Sequence, residues 1–222
     1  MRLIGIDEAG RGPVLGPLVM ACVAITQEQH QRLSLHSIQD SKRYGSGARG
    51  KKTRLAARPI VEANCEWRIV EFSPAQVDEY VKDGRLDDLE REGAEQLLRE
   101  IGAGSAEDRI FCDGAPIFGR LSERWPNFKA ENKADAKYLC VSAASILAKV
   151  RRDEAMDEIC RKYAEEYGEI KGGGYVNAGS RKFLAAYEER HGELPLEARK
   201  TWTWRPKPTH VEGPDITEIL GE

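Results

Sequence analysis

The first 25 residues contain two short apolar runs separated by a polar, turn-rich segment. Residues 2–7 form one run, and residues 18–25, LVMACVAI, form a continuous second run. Runs of this length are typical of strands, and the unbroken second run predicts a strand buried on both faces. The segment between them, AGRGPVLGP, is dense in glycine and proline, so it predicts a shaped turn between the two strands.

The rest of the chain alternates between helical and strand patterns. Further strands are predicted at 67–73 and 109–112, and helices at 51–63, 74–101, 135–167 and 181–190. The segment AKYLCVSAASILAKV is apolar nearly all round, which predicts a helix inside the core. Strands followed by helices indicate an α/β domain with a mixed sheet flanked by helices. Three glycines at 172–174 then suggest a division into a catalytic domain, 1–171, and a small helical C-terminal region with a tail, 172–222.

Composition bounds the class of protein but does not name its function. The 222 residues fit one domain, with 41% hydrophobic and 32% charged residues. No stretch approaches the roughly 20 apolar residues that a membrane helix needs. The five scattered cysteines and four histidines lack zinc-ligand spacing. We therefore expect a monomer of the reducing cytoplasm, with no membrane segment and no structural zinc.

Charge permits a nucleic-acid partner without requiring one. The net charge is −3, but lysines and arginines gather in three clusters: Lys42, Arg43, Arg49, Lys51, Lys52, Arg54 and Arg58; Lys149, Arg151 and Arg152; and Arg199, Lys200, Arg205 and Lys207. Such patches could contact phosphates, as in many nucleic-acid-binding proteins. They could equally be solvated helix faces, and composition alone leaves both interpretations open.

Four acidic residues stand at the ends of predicted strands or at the start of a helix. Asp7 and Glu8 end the first strand, Asp113 ends a later strand, and Asp135 opens the long apolar helix. Asp135 could instead cap that helix, and Asp113 could serve an ordinary turn. Asp7 is harder to explain in these ways, because a carboxylate on a core strand is costly without a partner. Adjacent strand residues face opposite ways, so Glu8 can join Asp7 only if the strand is already turning.

Several carboxylates at one place repel one another unless cations lie between them. An all-oxygen ligand set suits Mg²⁺ or Mn²⁺. Two such ions could activate a water and stabilise the leaving oxygen of a phosphodiester. The four acids together therefore predict a two-metal site at one end of the sheet.

At this point the motifs resemble those of a known family, the type 2 ribonucleases H. The matching strings, in family order, are IDEAGRGPVLGPLV at 6–19, DSKR at 40–43, FCDGA at 111–115, NKADAKY at 132–138, AASILAKVRRD at 143–153 and GGGY at 172–175. They span most of the chain and stop near its C-terminus. The resemblance implies a ribonuclease H-like fold and a metal-dependent endoribonuclease. Such an enzyme hydrolyses the RNA strand of RNA/DNA hybrids and cuts 5′ to ribonucleotides embedded in DNA. Its products carry 3′-hydroxyl and 5′-phosphate ends.

The resemblance also assigns roles to individual residues. Two divalent metals, Mg²⁺ or Mn²⁺, would be bound by Asp7, Glu8, Asp113 and Asp135. The nucleotide 5′ to the cut would meet backbone and guanidinium groups of Gly10, Arg11 and Gly12. The same ribose would lie near Tyr175, and the phosphate backbone would be contacted by Lys42. Glycines suit this role because they let a backbone approach a 2′-hydroxyl closely, and that hydroxyl separates RNA from DNA.

Three strings depart from the family pattern. Arg43 and Tyr44 replace the usual Lys-Leu, and VNAGSR follows Tyr175 where a Ser/Thr and acid-rich turn is common. WTWRP lacks a lysine between tryptophan and threonine. The tail DITEILGE also lacks the glutamine and paired aromatics of a sliding-clamp motif, so we predict no clamp binding.

Other functions fit the residues less well. A non-catalytic RNA/DNA-hybrid-binding module would gain nothing from four acids that repel phosphates, and a DNA-only nuclease or recombinase would not need the Gly-Arg-Gly string. Ribonuclease HIII carries an extra N-terminal domain, for which a first catalytic strand at Arg2 leaves no room. The string GSGARGKK nearly spells a P-loop but has Lys52 where Ser or Thr belongs.

Overall fold

A mixed five-stranded sheet lies at the centre of the computed structural model, which describes residues 1–35, 38 and 47–205. Its strands are β1 (Arg2–Ala9), β2 (Leu18–Thr26), β3 (Glu66–Phe72), β4 (Arg109–Asp113) and β5 (Phe128–Glu131). They lie in the order β3-β2-β1-β4-β5. β1 pairs antiparallel with β2 and parallel with β4, so the predicted mixed sheet is confirmed. The fifth strand escaped sequence analysis, because its four residues are too few to show an alternating pattern.

Seven helices flank the sheet within the described ranges. They are α1 (Gln27–Leu35), α2 (Gly47–Asn64), α3 (Pro74–Lys82), α4 (Leu86–Glu100), α5 (Ala115–Phe118), α6 (Leu139–Tyr167) and α7 (Ala178–His191). The single helix predicted over 74–101 is two helices, broken where Gly84 adopts a φ of +69°. α1 was not predicted, since its sequence QEQHQRLSL carries no apolar stripe. None of the helices in the described part of the chain is long and apolar enough to cross a membrane.

Helix α6 is the core helix that the apolar pattern predicts. It begins at Leu139, four residues later than expected, and its first ten residues are all buried. Gly5 of β1 makes this packing possible, since a Cβ there would lie 2.2 Å from the backbone carbonyl carbon of Cys140. The close approach of α6 to β1 brings its side chains up to the strand that carries the candidate acids.

Three hydrophobic clusters stabilise the molecule. One lies between the sheet and α4, and the second lies between the opposite face of the sheet and α6 with α2. The third joins the turn after β1 to the C-terminal region, and includes Val14, Leu15, Met156, Phe183, Leu184 and Trp204. Residues on both sides of position 172 therefore share one core, while the division into domains 1–171 and 172–222 stays a prediction.

Candidate active site

β1 delivers Asp7 and Glu8 to opposite faces of the sheet. The strand keeps pairing as far as Ala9, opposite Val19, so it does not turn between the two acids. Asp7 is buried on the side covered by α6, where Lys149 Nζ lies 3.9 Å from its Oδ2. Glu8 lies on the α4 side, at the rim of the sheet. Asp7 and Glu8 thus lie together at one strand end, but their side chains lie on opposite faces of the sheet.

Asp113 and Asp135 come to the same edge by different routes. β4 runs parallel to β1 and pairs Cys112 with Ile6, so Asp113 follows one residue beyond that pair, beside Asp7. Its Oδ1 accepts hydrogen bonds from the backbone N–H of Gly114 (3.1 Å) and of Ala134 (3.0 Å). The second bond ties the 3₁₀ turn at 134–136 to the end of β4. The sequence predicts Asp135 at the start of α6, but the structure places it in this turn, 3% exposed.

The environment of the strand end disfavours ionised carboxylates. Burial raises the pKa of Asp7 to about 6, and the negative charge of Asp113 acts in the same direction. The Lys149 ammonium and a hydrogen bond from Ser145 only partly oppose this rise. Burial also raises the pKa of Glu8, to about 8, and the charges of Asp7 and Glu90 add to the effect. The metal-free edge is therefore electrostatically unfavourable as a cluster of anions.

The donor set fits divalent cations that prefer oxygen. Glu8 Oε2 is buried and has no hydrogen-bond partner, so it lacks the compensation that a buried charge needs. Across the described ranges, no three His, Cys, Asp or Glu side chains are gathered into a ready metal-binding group. Binding a small hard ion would therefore draw the side chains together, and Mg²⁺ commonly completes its shell with water and substrate oxygens.

The Gly-Arg-Gly turn follows directly after the acids. Gly10 has a φ of +92°, and a Cβ there would lie 2.5 Å from the carbonyl oxygen of Pro17. Arg11 is partly exposed but already paired: Nη2 lies 2.7 Å from Asp87 Oδ1 and Nη1 lies 2.8 Å from Glu90 Oε2. The turn therefore requires glycine at position 10 and carries a guanidinium that is already paired.

Glu90 is a site residue that sequence analysis missed. Its side chain is fully buried on α4, and burial raises its pKa to about 7 although Arg11 favours the charged form. A signal was present in the sequence. Glu90 precedes Ala94 and Leu97 at helical spacing, so it is an acid in the apolar stripe of its helix.

Tyr175 lies against the Gly-Arg-Gly turn. Its side chain is 56% exposed, and its Cε1 is 3.3 Å from where a Cβ on Gly12 would stand. Asn177 Nδ2 and Ser180 Oγ each donate to the Tyr175 carbonyl at 2.8 Å. These two residues also form the capping box of α7. The unusual string VNAGSR therefore still holds Tyr175 in place.

Within the described residues, several members of the basic clusters are already paired or buried. On α2, Lys51 pairs with Asp157 (2.6 Å) and Arg54 with Asp153 (3.1 Å), both acids of α6. Residues 47–52 lie in the first turns of α2, which excludes the P-loop interpretation for them. Arg199 of the third cluster is fully buried, so its assignment to a surface patch was wrong. The predicted phosphate contact Lys42 lies outside the described residues.

Comparisons with known proteins agree on one family. The model of the family Ribonuclease HII matches residues 4–204. Ribonuclease HII of Thermococcus sibiricus is 36% identical over 210 residues, which cover 91% of this chain and 88% of that protein. RNase HII in its complex with PCNA from Archaeoglobus fulgidus has a TM-score of 0.74 at 27% identity, covering 94% of this chain and 98% of that chain. Bst-RNase HIII in complex with Mn²⁺ has a TM-score of 0.72 at 20% identity, covering 91% of this chain and 67% of that chain, and shares the fold.

Proposed function

The chain belongs to the ribonuclease HII family of type 2 ribonucleases H, and from that premise we propose its substrates and mechanism. We propose that it hydrolyses the RNA strand of RNA/DNA hybrids and cuts 5′ to single ribonucleotides embedded in duplex DNA. The products carry 3′-hydroxyl and 5′-phosphate ends. The observation that carries the proposal is the meeting of two features, a buried acidic strand end and an adjacent Gly-Arg-Gly turn covered by Tyr175.

Two divalent ions, Mg²⁺ or Mn²⁺, would be held by Asp7, Glu8, Asp113 and Asp135. When bound, they would supply an activated water and stabilise the leaving oxygen. The Mn²⁺ in the Bst-RNase HIII complex supports a metal of this class on the same fold. Lys149 favours the ionised, ligand-competent form of Asp7, and Ser145 fixes the lysine by accepting a hydrogen bond from its Nζ at 2.5 Å.

Recognition of RNA would fall to Gly10, Arg11, Gly12 and Tyr175. The backbone of the turn can approach a ribose closely, and the exposed ring of Tyr175 can stack beside it. The Arg11 guanidinium already pairs with Asp87 and Glu90, so a phosphate would either bind its remaining N–H groups or displace one of these carboxylates. The phosphate contact of Lys42 stays a prediction from the resemblance.

The remaining partners stay predictions as well. The Archaeoglobus fulgidus relative was solved with PCNA, whereas the tail 206–222 of this chain lies outside the described residues. The expectation that this chain does not bind a sliding clamp rests on the sequence of that tail alone. A monomeric, cytoplasmic enzyme is likewise expected from composition.

A single cleavage assay tests the proposal. A labelled DNA duplex with one ribonucleotide is incubated with the protein and Mg²⁺ or Mn²⁺, beside an all-DNA duplex. We expect a metal-dependent cut on the 5′ side of the ribonucleotide and an intact control. Cutting only of a long RNA/DNA hybrid would remove the junction preference. Binding without any cutting would favour the non-catalytic module.

A further inference from the structure

Three successive carbonyl groups of the Gly-Arg-Gly turn are bonded to one segment near the end of the described chain. Arg199 Nη2 donates to the Gly10 carbonyl (2.5 Å) and Arg199 Nη1 to the Arg11 carbonyl (2.7 Å). Trp202 Nε1 donates to the Gly12 carbonyl (3.0 Å). We call residues 199–202 the clasp segment. It meets the turn from nearly 190 positions away in the sequence and bonds every carbonyl of the motif.

Bonding the carbonyls fixes the direction of the N–H groups between them. In a trans peptide the N–H points opposite to the carbonyl of the same peptide plane. The peptides in the described ranges are trans. Holding the Gly10 and Arg11 carbonyls toward Arg199 therefore turns the N–H groups of Arg11 and Gly12 the other way. The clasp segment thus determines where the two donors of the turn point.

The clasp segment is itself held rigidly. The Arg199 N–H donates to the Val14 carbonyl at 2.8 Å. Asp78 of α3, only 6% exposed, accepts from the backbone N–H of Lys200 (2.7 Å) and of Thr201 (3.0 Å). The guanidinium carbon of Arg199 also lies 4.8 Å from the centre of the Trp202 ring. A loop built only for packing would not need a buried cation with so many fixed partners.

Neither Arg199 nor Asp78 can touch a duplex, because both are buried. Arg199 is fully buried, and burial together with the nearby Arg152 charge lowers its pKa to about 10, which still leaves it cationic at neutral pH. Burying a guanidinium is costly unless its hydrogen bonds are well made. The planar fork of arginine suits two neighbouring carbonyls, whereas lysine offers a single point charge.

We infer that Arg199, supported by Trp202 and Asp78, is a positioning residue for RNA selectivity: it aims the N–H groups of Arg11 and Gly12 at the ribose 2′-hydroxyl. The inference rests on the proposed function, in which this turn meets the ribose. It adds a determinant of selectivity that never contacts the substrate.

The test measures selectivity, which the folded fraction does not affect. Dissociation constants are measured for a duplex with one ribonucleotide and for its all-DNA counterpart, with Ca²⁺ replacing Mg²⁺ and the duplexes checked for cleavage on a gel. The readout is the dissociation constant for the all-DNA duplex divided by that for the duplex with one ribonucleotide, so a larger ratio means a stronger preference for RNA. A variant that is merely less folded weakens both complexes equally and leaves this ratio unchanged.

For Arg199→Met we expect the ratio to fall about tenfold, a loss near 1.4 kcal/mol, while all-DNA binding changes little. Arg199→Lys, which can bond one carbonyl, should retain part of the preference. Arg190→Met is the matched control, since Arg190 is exposed on α7 and pairs with Glu166. An unchanged ratio in Arg199→Met would overturn the inference.

Two milder variants keep the test decisive if Arg199→Met fails to fold. Trp202→Phe keeps the ring beside Arg199 but removes the donor to Gly12. Asp78→Asn weakens the anchor of the clasp segment. Each should lower the ratio by roughly threefold, at the low end of the net contribution of one hydrogen bond, and unchanged ratios in both would refute the inference. If the wild-type protein itself shows no preference and no cutting, the proposed function fails instead.

Discussion

The two halves of the candidate site differ in the groups they present: one presents side-chain carboxylates and the other presents backbone groups. The acidic half, Asp7 with Glu8, Asp113 and Asp135, places side chains at two strand ends and in the 3₁₀ turn beside them, and burial and mutual repulsion raise the pKa of Asp7 and of Glu8. The turn half, residues 10–12, offers backbone groups whose carbonyls are all bonded by the clasp segment. One half is electrostatically unfavourable as a cluster of anions, whereas the carbonyls of the other half already have their hydrogen-bond partners.

This difference separates chemistry from selectivity. Neutralising an acid would remove a proposed metal ligand and relieve repulsion, so activity and stability should move in opposite directions, as is common where function and stability trade off. Loosening the turn would release the orientation of its N–H groups and also break hydrogen bonds, so selectivity and stability should fall together. Four predictions test this contrast, in order of decreasing effect.

The largest effect is expected for Asp7→Asn and Asp113→Asn. Each should reduce cutting by roughly a thousandfold or more, on the scale of losing a catalytic group. The fold should persist, since asparagine at 113 keeps the Oδ1 that accepts from Gly114 and Ala134. Cleavage rates and circular dichroism check both points, with the exposed Asp157→Asn as control. Full activity in Asp7→Asn would show that the metal assignment is wrong.

Tyr175→Ala should slow cutting by about 10- to 100-fold, a loss similar in size to that of one aromatic stacking contact with a nucleotide. Its metal affinity, measured by Mn²⁺ titration, should stay that of the wild-type protein, because Tyr175 lies against the turn half and is not one of the four acids. Tyr175→Phe keeps the ring over Gly12 and should cut almost normally. If Tyr175→Phe were as slow as Tyr175→Ala, a hydroxyl contact would replace stacking as the role of this residue.

The sequence identifies the residues of both halves, but it does not reveal what holds the turn half in place. Strand ends are visible in local patterns, so Asp7 and Asp113 could be placed at one edge from short apolar runs and a following turn. Arg199 could not be placed, because its contacts with Gly10 and Arg11 depend on tertiary packing between positions far apart in the chain. Its charge suggested a surface residue, since an isolated buried guanidinium is unfavourable. Glu90 was not singled out for a different reason, because it is one acid among several in an amphipathic helix.

The third prediction concerns stability and pH in the metal-free protein. Glu8 ionises near 4.5 when unfolded but has a pKa raised to about 8 when folded. The folded state therefore binds more protons, and stability is lost as pH rises from about 4.5 to about 8. Glu8→Gln escapes this loss, so its Tm should exceed that of the wild-type protein at pH 8 by roughly 2–4 °C, corresponding to about 1 kcal/mol.

The difference should shrink at pH 5 and disappear when Mg²⁺ or Mn²⁺ is added to the wild-type protein, because a bound cation removes the repulsion. Glu79→Gln, at an exposed position on α3, is the matched control. A lower Tm for Glu8→Gln at pH 8 would contradict the view that the acidic half is destabilising without metal.

The smallest effect is expected for Lys51→Gln, which tests whether α2 contributes to duplex binding. Lys51 is exposed but already pairs with Asp157, and an exposed pair of this kind adds only about 0–1 kcal/mol to stability. Its charge is locally balanced, so duplex affinity should change less than about twofold. The dependence of affinity on salt should also keep its slope, whereas loss of a true phosphate contact would reduce that slope by about 0.9. A reduced slope would mean that duplex binding breaks the Lys51–Asp157 pair and extends the nucleic-acid surface onto α2.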